Sequence, residues 1–232
     1  MPLMVIGHRG ACGYEPENTL ASFKKALNLG VDMIELDVHA LKTGELVVIH
    51  DDKLERTTNG RGSIYDLTLD KLRKLDAGKG QYVPTLKEII EFVNRRVPIN
   101  IELKGPGTAK GVSRVIDKYL SLGWDRDHFF VSSFNHVELD KFRSLKPDIK
   151  IGTVIYGTPL DYAAFASKIK SYSINISLEF ISREFVRDAK KRGLKVFVFT
   201  VNDQDDAKKV LDLKVDGVFS DYPDKARLYL GA

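Results

Sequence analysis

A single cysteine, Cys12, stands in the 232 residues, so no intrachain disulfide can form, which fits a reducing compartment. Long apolar runs are missing too. No segment approaches the roughly 20 apolar residues of a membrane-spanning helix. The opening MPLMVIGHRG has too short an apolar stretch for a secretory signal and lacks its basic leader. The expectation is a cytoplasmic protein without an integral membrane segment. Neither sign of charge dominates, since 36 basic residues stand against 32 acidic ones for a net charge of +4. The basic residues fall in short clusters such as Lys190-Lys191-Arg192, which read as solvated helix faces, so no nucleic-acid surface is expected. Internal repeats, low-complexity tracts and a glycine-rich dinucleotide loop are absent as well.

What is present is the composition of an ordinary globular protein, 43% hydrophobic and 29% charged. A chain of this length suits one sizeable core, so a single domain over 1–232 is expected. Short β-branched runs alternate with stretches of helical period. Strands are predicted at Leu3 to Gly7, Val31 to Val38, Pro98 to Leu103, His128 to Val131, Ile149 to Ile155, Tyr172 to Ile176, Leu194 to Phe199 and Val215 to Phe219. Helices are predicted between them, among others at Asn18 to Asn28, Thr85 to Arg95, Ser182 to Lys191 and Asp203 to Leu211. Eight such units match an α/β fold of the (β/α)8 TIM-barrel type better than a doubly wound sheet. The stretch 51–84 is rich in turn residues and reads as a small insertion after the second barrel strand, placed to cover or shape the substrate pocket.

Within Ile34-Glu35-Leu36-Asp37-Val38 the period of two puts Glu35 and Asp37 on one face and the aliphatic residues on the other. The aliphatic face belongs against the outer helices, so the carboxylates turn inward. Asn100-Ile101-Glu102-Leu103-Lys104 does the same with Glu102 and Lys104. Three desolvated carboxylates repel one another unless a proton, a basic partner or a metal offsets the charge. A hard divalent cation such as Mg2+, Ca2+ or Mn2+ suits them better than zinc. On the alternation alone, ion pairing with Lys104 and its basic neighbours remains the alternative.

His8 closes the first strand, and His50 closes the extended run Glu45 to Ile49. Both are expected at equivalent strand ends, the catalytic face of such a barrel, where one imidazole can accept a proton and the other donate one. Arg9 is suited to bidentate contact with a phosphate. Cys12 reads as a half-buried packing thiol, while His128 and His136 have no motif around them and read as structural.

Taken in order, His8-Arg9-Gly10 with Pro16-Glu17-Asn18-Thr19, Glu35-Leu36-Asp37-Val38, His50-Asp51 with Arg56-Thr57-Thr58-Asn59-Gly60, and Glu102-Leu103-Lys104 resemble the motifs of glycerophosphodiester phosphodiesterases. So do Phe199-Thr200-Val201-Asn202 and Asp216 to Pro223, and the resemblance therefore spans nearly the whole chain. It implies a barrel with an insertion after strand two, a divalent cation held by Glu35, Asp37 and Glu102, catalytic His8 and His50, and phosphate contacts from Arg9 and Lys104. Phe199 stands where the family commonly has Trp and keeps an aromatic wall for the alcohol. Cys12 and Glu15 also depart from the pattern, and His39 continues the Glu35 and Asp37 face at a position the family does not use as a ligand. The implied activity is hydrolysis of a small-molecule glycerophosphodiester to sn-glycerol 3-phosphate and an alcohol. The alternatives are lysophospholipase D action and a phosphate-binding barrel without turnover.

Overall fold

A computed structural model describes residues 3–231, so positions 1, 2 and 232 of the expected single domain lie outside the described residues. Nine strands form: β1 (Met4–Gly7), β2 (Met33–Ala40), β3 (Leu46–Val48), β4 (Ile99–Leu103), β5 (Phe129–Ser133), β6 (Lys150–Ile155), β7 (Ser173–Ser177), β8 (Lys195–Phe199) and β9 (Gly217–Ser220). All but β3 pair in parallel, and β1 pairs with both β2 and β9, so eight strands close into a ring. The helices are α1 (Leu20–Asn28), α2 (Leu69–Leu72), α3 (Leu86–Val93), α4 (Thr108–Ser121), α5 (His136–Leu145), α6 (Ala164–Lys168), α7 (Arg183–Lys191), α8 (Gln204–Leu213) and α9 (Pro223–Leu230). Together they make the expected (β/α)8 TIM barrel. Among the described residues no helix is long and apolar enough to cross a membrane.

Alternation along each strand separates two kinds of interior. Outward residues such as Ile34, Leu36, Ile99, Ile101 and Val131 pack beneath α1, α3, α4 and α5, and Ile174, Val196, Val198 and Val218 do so beneath α7, α8 and α9. Inside the ring, Ile6, Met33, Phe130, Phe197 and Phe219 plug one end. Burying each such side chain contributes about 1.5–3 kcal/mol. Above the plug, the inward positions turn polar. There the helix N-termini gather, capped by Thr19 on the Ser22 amide, Thr85 in a capping box with Glu88, Ser182 on Phe185 and Asp203 on Asp205 and Asp206. Each cap is worth roughly 1 kcal/mol.

The departures from the sequence reading are local. The second strand runs on to Ala40, because β3 pairs with it antiparallel through Val38 and Val48, His39 and Val47, and Ala40 and Leu46. His50 is therefore carried by a hairpin outside the ring, and it does not occupy a strand end equivalent to that of His8. His128 lies in a 3-10 turn before β5, where its Nδ1 accepts from the Asp125 amide. The insertion holds a 3-10 turn at Ile64–Asp66 and α2, packed on a small core of its own that includes Leu41, Val47, Ile49, Leu54, Ile64, Leu72 and Val83.

Candidate active site

Register brings the acids together. Asp37 of β2 pairs with Glu102 of β4, and Glu35 lies one inward position below Asp37. An oxygen of each carboxylate lies within 4.8 Å of the others. Two cations flank them. Lys104 Nζ stands 2.9 Å from Glu102 Oε1 and 3.8 Å from Asp37 Oδ1, and Arg9 Nε is 3.4 Å from Asp37 Oδ2. Arg9 takes a left-handed conformation ahead of Gly10, where a Cβ would come within 2.7 Å of the Ser22 backbone. That tight turn aims the Arg9 amide at Glu35 Oε2, 2.8 Å away. Asn18, turned inward just before the α1 cap, donates Nδ2 to Asp37 Oδ2 at 2.8 Å.

The cluster is unevenly neutralised. Burial and the neighbouring Asp37 and Glu102 push the Glu35 carboxyl well above its ordinary range. Burial and Asp37 likewise raise Glu102 against the pull of Lys104. Burial opposes the Asp37 charge too, yet Arg9, Lys104 and His50 together hold its carboxyl low. Three oxygen donors that converge with more negative charge than their cations cover fit a hard divalent cation. The buried Arg9 Nε makes no hydrogen bond and meets Asp37 as an ion pair only.

Each histidine is oriented by a carboxylate. His8 Nδ1 donates to Asp221 Oδ1 at 2.6 Å, and Asp221 also accepts from Cys12 Sγ at 2.9 Å and from Asn202 Nδ2 at 2.7 Å. Burial opposes the Asp221 charge, but the bonds from His8, Cys12 and Asn202 hold its pKa at about 2. Burial and the nearby Asp221 push the Cys12 thiol up, which makes it a poor nucleophile. His50 Nδ1 bonds Asp51, which Arg56 clamps from Nε at 2.6 Å. Arg56 reaches on to Glu17, and Glu17 to Arg9, so one chain of ion pairs ties the insertion to the β1–α1 loop. Lys104 Nζ donates to His50 Nε2 at 3.2 Å. Burial, with Arg9 and Lys104 alongside, lowers the His50 pKa against the pull of Asp37.

His8, Arg9, Glu35, His50, Glu102, Lys104 and Phe199 all line one cavity of ≈ 250 Å³. Asp37 sits just behind its wall, 1% exposed. The far wall adds Ser132, Phe134, Val154 and Asn175, with Phe134 edge-on to Phe199 at 5.8 Å. No residue of 51–84 lines this cavity itself, but Asp51, Asp52 and Tyr65 line an adjoining hollow that shares His50 and Lys104 with it. The insertion acts through Asp51 and Arg56 on the back of His50. Sequence reasoning missed Asp221, Phe134, Asn175 and the part played by His39. Buried His39 donates Nε2 to the His50 carbonyl at 3.0 Å and accepts from Tyr65 Oη at 2.8 Å, so it holds the hairpin that carries His50. Polar alternation in Ser173, Asn175 and Ser177 was a readable signal for Asn175.

A closed barrel with paired acids, cations and oriented imidazoles at one end is the build of a hydrolase acting on phosphate esters. The glycerophosphoryl diester phosphodiesterase family model matches residues 8–225, and the chain belongs to that family. A glycerophosphodiester phosphodiesterase of Caldanaerobacter subterraneus subsp. tengcongensis is 37% identical over 97% of this chain and 96% of its own length. An Oleispira antarctica phosphodiesterase, solved with its product sn-glycerol-3-phosphate, superposes with a TM-score of 0.91 at 35% identity, covering 99% of this chain and 97% of that one. Human lysophospholipase D is more distant, 29% identical over 97% of this chain and 85% of its own.

Proposed function

We propose that this phosphodiesterase hydrolyses small glycerophosphodiesters to sn-glycerol 3-phosphate and an alcohol, with a divalent cation held by Glu35, Asp37 and Glu102. The observation that carries this reading is the convergence of those three carboxylates, within 4.8 Å of one another, in a cavity that two histidines also line. A bound Mg2+, Ca2+ or Mn2+ would polarise the phosphoryl oxygens. Three carboxylates and one dication leave one net negative charge, which would repel an anionic diester. Arg9 and Lys104 reverse that sign, hold the diester against the acids and stabilise the charge that grows on its oxygens during displacement. Burial lowers the His50 pKa and its Nε2 accepts from Lys104, so it is poised to take a proton from the nucleophile at that atom. His8, with Nδ1 on Asp221, is left to donate from Nε2 to the departing alkoxide. Phe199 walls the alcohol group.

A cavity of ≈ 250 Å³ suits a small diester better than the acyl chain of a lysophospholipid. A barrel that only bound phosphate would have no use for two oriented proton carriers. The single cysteine supports the cytoplasm as the compartment.

The test is a panel of glycerophosphodiesters with choline, ethanolamine or glycerol, run beside lysophospholipids and read as released glycerol phosphate. EDTA is expected to abolish turnover, and added Mg2+, Ca2+ or Mn2+ to restore it. Glu35→Gln and Asp37→Asn are expected to weaken metal binding in a folded protein. Undiminished turnover after chelation, or wild-type metal affinity in both variants, would refute the metal assignment. Preference for lysophospholipids would move the assignment to lysophospholipase D.

A further inference from the structure

Besides Arg9 Nε, which faces Asp37, a second buried polar atom on the cavity wall makes no hydrogen bond. Asn175 is 1% exposed, and its Oδ1 accepts from Ser173 Oγ at 2.7 Å, yet its Nδ2 makes no hydrogen bond. Gly152 on the adjacent strand makes room for the amide. A Cβ there would stand 2.9 Å from Nδ2 and 2.7 Å from Phe130 Cε1. Buried donors are rarely left unpaired in folded proteins. One that faces a ligand cavity can receive its acceptor with the ligand.

Its place in the ring says which part of a ligand that is. The ring runs β1, β2, β4, β5, β6, β7, β8, β9, so β7 lies straight across from β2, which carries Glu35 and Asp37. A diester whose phosphorus is drawn to the acids and to Arg9 and Lys104 extends its neutral portion toward β7. Val154, the partner of Asn175 across the β6–β7 pairing, offers contact surface for carbon. A neutral amide N–H beside such a residue matches a neutral oxygen. A trimethylammonium group offers it no acceptor.

We propose that Asn175 is a specificity-determining residue whose Nδ2 donates to a hydroxyl oxygen on the glycerol portion of the substrate. The inference rests on the glycerophosphodiester reading above. One neutral hydrogen bond of this kind is worth roughly 3- to 10-fold in affinity.

The experiment is calorimetric binding to Mg2+-loaded protein of sn-glycerol 3-phosphate and of its two deoxy analogues, 3-hydroxypropyl phosphate and 2-hydroxypropyl phosphate. Wild type, N175L and N175A are compared, with circular dichroism to confirm folding and N175A in hand should leucine not fit. Wild type is expected to prefer sn-glycerol 3-phosphate over one deoxy analogue by roughly 10-fold. The variants are expected to lose that preference while keeping their affinity for the analogue. Equal weakening of all three ligands would overturn the proposal, since it would mean that Asn175 only packs or holds a fixed water. So would an unchanged preference, or no binding of any of the three. A parallel turnover assay separates the two readings. An Asn175-dependent preference without hydrolysis would sink the enzymatic assignment alone, and hydrolysis with a preference indifferent to residue 175 would sink this one alone.

Discussion

On the side of the cavity built from β1, β2 and β4, the inward positions carry His8, Glu35, Asp37, Glu102 and Lys104, joined by Arg9 and His50. On the side built from β5 to β8 they carry Ser132, Phe134, Val154, Asn175 and Phe199, none of which ionises near neutral pH. The charged side is cross-linked, with Asp37 alone meeting Arg9, Lys104 and Asn18. The neutral side is held by rings and apolar contact, as where Phe199 stands edge-on to Phe134 and Phe219. One side has the groups that the proposed mechanism uses to move protons and hold anions. The other has only shape and a few neutral hydrogen bonds. Substitutions on the first should therefore change rate, and those on the second should change choice.

The largest effect is expected from the histidines. His8→Ala and His50→Ala should each lower kcat on the order of 10²–10⁴-fold, with metal content unchanged by elemental analysis. A nitrophenyl diester, whose leaving group needs little acid help, should rescue the His8 variant and leave the His50 variant slow. The opposite pattern would exchange their roles. Near wild-type kcat in both would end the two-histidine mechanism.

A smaller effect is expected across the cavity. Phe199→Ala should shift the ranking among alcohol groups by up to about 10-fold in kcat/KM while kcat on the best substrate stays within a few-fold. A collapse of kcat with an unaltered ranking would erase the distinction between the two sides.

The smallest effect concerns stability. The folded Asp221 carboxyl titrates at about 2, below the roughly 3.9 of an unfolded aspartate, so the folded state binds fewer protons in that interval. Its contribution is complete above about pH 4 and is lost as the pH falls toward 2. Denaturant midpoints should separate wild type from Asp221→Asn more at pH 6 than at pH 2.5. Equal separation at both values would show that Asp221 stabilises by packing and not by its charge.

The eight ring strands were legible because each is a short apolar run between turn residues, and the inward acids because Glu35, Asp37 and Glu102 keep the strand period. What stayed hidden depends on tertiary pairing. Asp221 meets His8 across 213 positions of sequence, and nothing local in Asp221-Tyr222-Pro223 marks it as an imidazole partner. The extended run from Glu45 to Ile49 was legible, but nothing local marks it as an antiparallel strand outside the ring, so the mounting of His50 was misjudged. The turn-rich composition of the insertion says where it attaches and not which way it leans. Its apolar residues, spaced irregularly from Leu54 to Val83, close on one another and on the hairpin.

That hairpin bears on how the molecule fails. The ring closes through β1, β2 and β9 without β3, so His50 is tied to the barrel only through the pairing of β3 with β2 and the contacts around it. Placement of that imidazole depends on the insertion's separate small core, on the grip of His39 on the His50 carbonyl, and on the Arg56 clamp. Under the proposed mechanism, loosening of that small core would displace one of the two imidazoles while every barrel strand stays paired.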